Sequence, residues 1–157
     1  MAAAIEGGFS ASPVAGDGTV YVVMQDAMTR EAPASLVIEH RPGRDMALLD
    51  PGDAATARLH GYCGSAALDS SEVFLAVSSP RGGYVIFWNR GEARIASELE
   101  LADVCGLAPG GPPGVFLVTS GQGGALLHDA ARGTSIEIAA PLIQESHWDN
   151  HVFTPSG

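Results

Sequence analysis

Three observations predict an all-β chain assembled from repeated four-stranded units. Short runs rich in β-branched and aromatic residues dominate, each bounded by Gly, Pro, Asp or Ser. Helical periodicity is confined to one stretch. The strand-and-turn pattern also recurs along the chain: Cys63-Gly64 and Cys105-Gly106 stand 42 residues apart, as do Val73-Phe74-Leu75 and Val115-Phe116-Leu117. Four strands at such a period form the unit of a β-propeller blade, so the expectation is about three blades of a partial propeller.

In chain order, Thr19-Val20-Tyr21-Val22-Val23-Met24 follows the turn Gly16-Asp17-Gly18 and reads as the strongest strand of a looser first unit, about residues 8–50. The one predicted helix covers residues 53–60, with Asp53 as its N-cap and alanines as good helix formers. The second unit, about residues 61–102, opens on the small residues Gly64, Ser65, Ala66 and Ala67, which suit an inner strand where space near the axis is tight. Val73-Phe74-Leu75-Ala76-Val77 follows Asp69-Ser70-Ser71, and Tyr84-Val85-Ile86-Phe87-Trp88 follows Arg81-Gly82-Gly83. The third unit, about residues 103–141, contains Val115-Phe116-Leu117-Val118-Thr119 behind a Gly/Pro cluster. Its Gly123-Gly124 turn lies 41 residues after Gly82-Gly83, so one residue has been lost. In that alignment His128 falls on Phe87. A further strand at 147–153 would open a fourth blade.

Composition narrows the chemistry. With 157 residues the chain suits one domain, and 46% hydrophobic residues make it globular. A net charge of −10 argues against nucleic acid or anionic lipid as partner. All 8 bases are arginine; without lysine there is neither a Schiff base nor a Walker-type phosphate contact. No apolar run is long enough for a membrane span. The first base is Arg30, so the opening residues as written do not read as a secretory signal. Cys63 and Cys105 form no Cys-x-x-Cys pair and read as small buried residues at equivalent repeat positions.

The most chemical segment is His147-Trp148-Asp149-Asn150-His151. In a strand, His147, Asp149 and His151 share one face and are the candidate metal ligands. The two histidines would lie ~13 Å apart in an extended strand, too far for one ion. The structural reading is a strand whose polar groups satisfy neighbouring backbone near the axis. Thr119-Ser120-Gly121-Gln122-Gly123-Gly124 has part of a dinucleotide fingerprint, but no helix-length segment follows and a hairpin turn explains it. Gly-x-Ser-x-Gly does not occur. No catalytic residue and no cofactor are predicted; a metal or haem contact is the alternative.

Several motifs occur in a telling order: Val77-Ser78-Ser79-Pro80-Arg81-Gly82-Gly83 with Phe87-Trp88, then Asp103-Val104-Cys105-Gly106, Thr119-Ser120-Gly121 and Trp148-Asp149-Asn150-His151. In these the chain resembles the C-terminal part of the bacterial domain-of-unknown-function family 1513, propeller-like proteins typically sent to the periplasm behind a twin-arginine signal. Members are often encoded beside imelysin-type and haem-peroxidase-type proteins. The resemblance implies a binding or scaffold module, periplasmic and linked to iron uptake. The family's signal and N-terminal blades have no counterpart here, and Phe9 stands where the family carries a histidine. Three blades leave two raw faces, so a protein partner or self-association is expected, with Phe74, Phe87, Trp88 and Phe116 as the residues meeting a neighbouring blade.

Overall fold

The structure is a computed structural model that describes residues 9–10, 12–26 and 35–149. The described strands form three antiparallel sheets of four, each built in chain order. The first holds β1 (Phe9–Ser10), β2 (Val20–Met24), β3 (Val37–His40) and β4 (Ala47–Leu48). The second holds β5 (Ser65–Leu68), β6 (Phe74–Ser79), β7 (Tyr84–Asn89) and β8 (Arg94–Glu100). The third holds β9 (Val104–Pro109), β10 (Val115–Ser120), β11 (Ala125–Asp129) and β12 (Thr134–Glu137). In the second and third sheets the first strand is buried and the last is largely exposed. The first strands lie side by side, β5 packing on β9. This is the radial arrangement of adjacent propeller blades.

Each sheet has a rear face toward the preceding sheet and a forward face toward the next. Alternation along the strands assigns every side chain to one of them. Tyr21, Val23 and Val37 on the forward face of the first sheet pack with Leu75, Val77, Tyr84, Ile86 and Trp88 on the rear face of the second. Ala76, Val85 and Phe87 on the forward face of the second pack with Phe116, Val118 and Leu126 on the rear face of the third. The second sheet is therefore buried on both sides. That is why β6 and β7 read as unbroken apolar runs instead of alternating ones.

The ladders correct the sequence repeat. Leu75 pairs with Trp88, and Phe116 pairs with His128. His128 therefore occupies the position of Trp88, one residue away from its sequence alignment with Phe87. The third sheet has a bulge between Val118 and Ser120 and a different turn register, which absorb the offset. The cysteines are likewise not equivalent. Cys63 belongs to the cluster between the first two sheets, whereas Cys105 lies on β9 against Thr119 and Trp148. Both are buried and free.

Helix α1 (Asp53–Arg58) carries the chain from the first sheet to the second. Its N-cap is Gly52, not Asp53, because the backbone turns at a φ of 87° that glycine adopts freely; Asp53 is the first helical residue. Asp50 accepts a hydrogen bond from the Gly52 amide at 2.8 Å. The helix end lies so close to Gly82 that a Cβ there would sit 2.0 Å from the Arg58 carbonyl. A second helical turn absent from the sequence reading, α2 (Pro141–Gln144), follows the third sheet. Residues 147–149 are not strand; residues 150–153 of the expected extra strand lie outside the described residues.

Candidate interaction surfaces

Three places concentrate polar or unpartnered groups: the joints between sheets, the rim at the start of β9, and the far faces of the end sheets.

The joints are stapled by side chains. Asp69, in the β5–β6 loop, is buried and its carboxylate accepts from the amides of Ser71 at 3.0 Å, Phe74 at 2.8 Å and, across the joint, Gly114 at 2.8 Å. Burial pushes the Asp69 carboxyl up, but the Ser71 hydroxyl and these amides outweigh it and hold the group below its ordinary value. Glu72 reaches the other way and accepts from the Gly16 amide through both oxygens, at 2.8 and 3.0 Å. Arg90 donates Nε to the Tyr21 hydroxyl at 2.7 Å and Nη2 to Asp17 at 3.3 Å. At the second joint the buried His128 ring stacks on Phe87 with centroids 4.1 Å apart. Ser97 gives its one hydroxyl hydrogen to the Ala130 carbonyl, so His128 Nε2–H donates to Ser97 Oγ at 3.0 Å while Nδ1 accepts from Ser135. Burial holds His128 below the ordinary histidine value, with Asp129 opposing. These groups hold blades together. Asp69-Ser70-Ser71 reads from sequence only as a turn, because its partner Gly114 lies 45 residues away.

The rim brings together part of the predicted metal set. His147 Nδ1 lies 2.9 Å from the Gly121 carbonyl, and the Cys105 thiol donates to the Trp148 carbonyl at 3.4 Å. Burial, with Asp103 and Asp149 nearby, raises the Cys105 thiol. Asp149 thus lies near Cys105, and His147 meets Gly121, whose amide donates to the Asp103 carbonyl; His151 lies outside the described residues. Among the described residues no three His, Cys, Asp or Glu side chains converge as metal ligands. Among them, too, nothing accepts from the buried Trp148 Nε1. Cys63, by contrast, is pushed up to about 12 by burial alone, away from the thiolate form.

The third place corrects the expected raw faces. Phe74, Phe87, Trp88 and Phe116 are all buried inside the two joints. The faces with no sheet against them among the described residues are the rear of the first sheet and the forward side of the third. The former shows half-buried Val20, Val22 and Ile38 with exposed Leu48 and His40. The latter shows half-buried Val115, Leu117 and Leu127 with exposed Ile136. Both are aliphatic. Phe74, Phe87 and Trp88 belong to the middle blade, which has a blade on either side, so in any register they face a joint; only Phe116, on the third blade, depends on register.

Among the described residues no helix is long and apolar enough to cross a membrane. Among solved structures, the chain is similar to the WD40 repeats of RRP9, with a TM-score of 0.62 and 16% identity over 84% of this chain and 38% of that one. It matches the structure of U3-55K equally, at 0.62 and 16% over 84% and 39%. Hydrazine synthase of Kuenenia stuttgartiensis follows at 0.51 and 14% over 80% and 34%. At such identity these likenesses show the propeller fold, and the chain spans about two fifths or less of each structure's length. No curated protein matches. The family described as "Protein of unknown function (DUF1513)" matches residues 13–154, and the chain belongs to it.

Proposed function

We propose that this chain is a non-enzymatic binding or scaffold module of propeller type that binds a protein through its blade surfaces. The observation that carries the reading is the contrast between joints and ends. Inside, each joint has an apolar core and is pinned by polar side chains, Asp69 and His128 at one joint and Glu72 and Arg90 at the other. On the outer blades, the faces that have no sheet against them among the described residues carry apolar groups, with Leu48 58% and Ile136 73% exposed. The finer proposal is a periplasmic place and a link to iron uptake, as the sequence resemblance implies; growth of a deletion strain of the host under iron limitation tests it.

The second reading is a metal or haem contact through His147, Asp149 and His151. It is favoured by His147 meeting Gly121 beside Asp103, with Asp149 near Cys105 at the same rim. Metal analysis and haem titration of the purified full chain separate the two. The module reading expects no stoichiometric metal after dialysis and no haem-induced absorbance change. Metal that survives dialysis and is lost in His147→Ala or Asp149→Ala would replace it with the second reading.

A further inference from the structure

We propose that the joint between the second and third blades binds a small aromatic cation, seated in a cavity of about 340 Å³ with its charged end on Glu137. Leu101, Ser120, Gly124, Leu126, Ser135 and Glu137 line the cavity. It lies between two described blades, and its volume falls in the range of small-molecule sites, roughly 300–1,000 Å³. Such a site is additional to any protein-binding surface and independent of it.

The chain itself supplies the template for the ligand. In the first joint the same place is filled by the chain's own side chains, and the ladders make the two places equivalent. Ser79 stands opposite Tyr84, and the Ser120 amide donates to the Gly124 carbonyl, so Gly124 takes the position of Tyr84. Val77, Ile86 and Glu98 line up across the second sheet as Val118, Leu126 and Glu137 do across the third, so Glu137 takes the position of Glu98. The Ser79 hydroxyl donates to the Leu59 carbonyl at 2.7 Å, and the Ser120 hydroxyl to the Ala102 carbonyl at 2.8 Å. Leu101, the residue before Ala102, therefore takes the position of Arg58. In the first joint the Tyr84 ring is buried and its hydroxyl donates to Glu98. The Arg58 guanidinium lies over that ring, 3.9 Å from its centroid, and pairs with Glu98 at 3.9 Å and with Glu100. One ring and one cation thus meet a carboxylate there. The second joint keeps the carboxylate and lacks both the ring and the cation. A Cβ at Gly124 would meet nothing within 4 Å, so the space beside that position is open. Among the described residues the Gln144 amide donates to Glu137 at 3.2 Å, and no cation pairs with it. An aromatic cation brings both missing parts in one molecule. Its ring lies against Leu101 and Leu126, and its ammonium donates to the Glu137 carboxylate, a charge-assisted hydrogen bond roughly twice as strong as a neutral one. The net charge of −10 favours a cation over an anion in the same place.

Benzylamine, a ring with one ammonium at neutral pH, is the probe. NMR titration of the full chain should show saturable one-to-one binding, with shifts concentrated at the amides of Gly123, Gly124, Leu126 and Glu137. Benzyl alcohol keeps the ring and a donor without the charge, and ethylamine keeps the charge without the ring. Each should bind at least about tenfold more weakly than benzylamine. Glu137→Gln changes an exposed residue, so the variant should melt with the parent chain while benzylamine binding falls at least about tenfold. Leu101→Arg rebuilds the cation of the first joint opposite Glu137 and should weaken binding as much. Glu98→Gln, at the filled first joint, should leave benzylamine binding unchanged. Absence of saturable benzylamine binding overturns the assignment, and so does binding that survives Glu137→Gln intact. Benzyl alcohol or ethylamine binding as tightly as benzylamine, or a loss as large in Glu98→Gln as in Glu137→Gln, overturns it too.

Discussion

Replacing Asp69 by alanine tests whether the joints are stapled as described. The carboxylate serves three backbone amides and the Ser71 hydroxyl, and it bridges the second and third blades through Gly114. In Asp69→Ala the amides of Phe74 and Gly114 lose their buried acceptor, while Ser71 lies within reach of water. An orphaned buried donor costs about 1–3 kcal/mol, so two cost about 4 kcal/mol together. At this chain length about 2–4 °C is lost per kcal/mol, which puts the fall in melting temperature at about 12 °C. Asp69→Asn keeps one acceptor oxygen and turns an NH2 toward the other donors, so it should fall between. Urea and thermal unfolding at neutral pH read the difference. Because the folded carboxyl lies below its ordinary value, its contribution is present above 3.8 and fades as pH drops through the folded value. The gap between parent and Asp69→Ala should therefore narrow in acid. Asp17→Ala is the comparison: that carboxylate is on the surface, with Thr19 in its own turn and one exposed ion pair to Arg90, so its loss should cost clearly less. An Asp69→Ala chain that melts with the parent would refute the staple, and so would a gap that widens in acid.

The other expectations are simpler. His128 is held neutral by burial, so the unfolded chain takes up a proton more readily; stability should be full above 6.5 and fall as pH drops toward the folded value. Urea midpoints at about pH 5 and about pH 8 should differ less in His128→Phe than in the parent, and an equal difference in both would remove His128 as the cause. For the cysteines, thiol titration of the denatured, unreduced chain should find both thiols of the pair Cys63 and Cys105 free, with Cys63 inert in the native protein; a chain with none free would contradict the buried thiols described here.

Much of the architecture is legible in the sequence because blade strands are buried on both faces. A strand such as β7 has no polar alternation to hide it, and the turns around Gly82 and Gly123 punctuate it clearly. Register is not legible in the same way. The sequence repeat aligns His128 with Phe87 and Cys105 with Cys63, yet a bulge and an altered turn shift the strands individually. Composition cannot report which strand absorbs an inserted residue. That single uncertainty hides which of the two joints a given ring faces. The staples were invisible for a different reason. Glu72 and Gly16 are 56 residues apart, Arg90 and Tyr21 69, and only the stacking of sheets brings them together. The rim was half legible: residue types at 147–151 flagged it, but the approach of Cys105 needed the fold.

The end faces also differ from the joints in a way that bears on what they do. Both joints have rings at their centre: Tyr21 with Trp88 in the first, Phe87 with Phe116 and His128 in the second. At the ends, the position of Phe116 is held by Val20 and that of Phe87 by Leu127. Each missing methylene-sized unit removes about 0.8 kcal/mol of burial energy, so a contact formed there is weaker than either internal joint by several such units. No staple equivalent to Asp69 stands ready either, since the β9–β10 loop of the third blade is Gly110-Gly111-Pro112-Pro113-Gly114 and has no carboxylate. The internal joints are built to persist through the life of the fold. The end faces of the described blades carry smaller side chains at these positions and, among the described residues, no lock like that of Asp69.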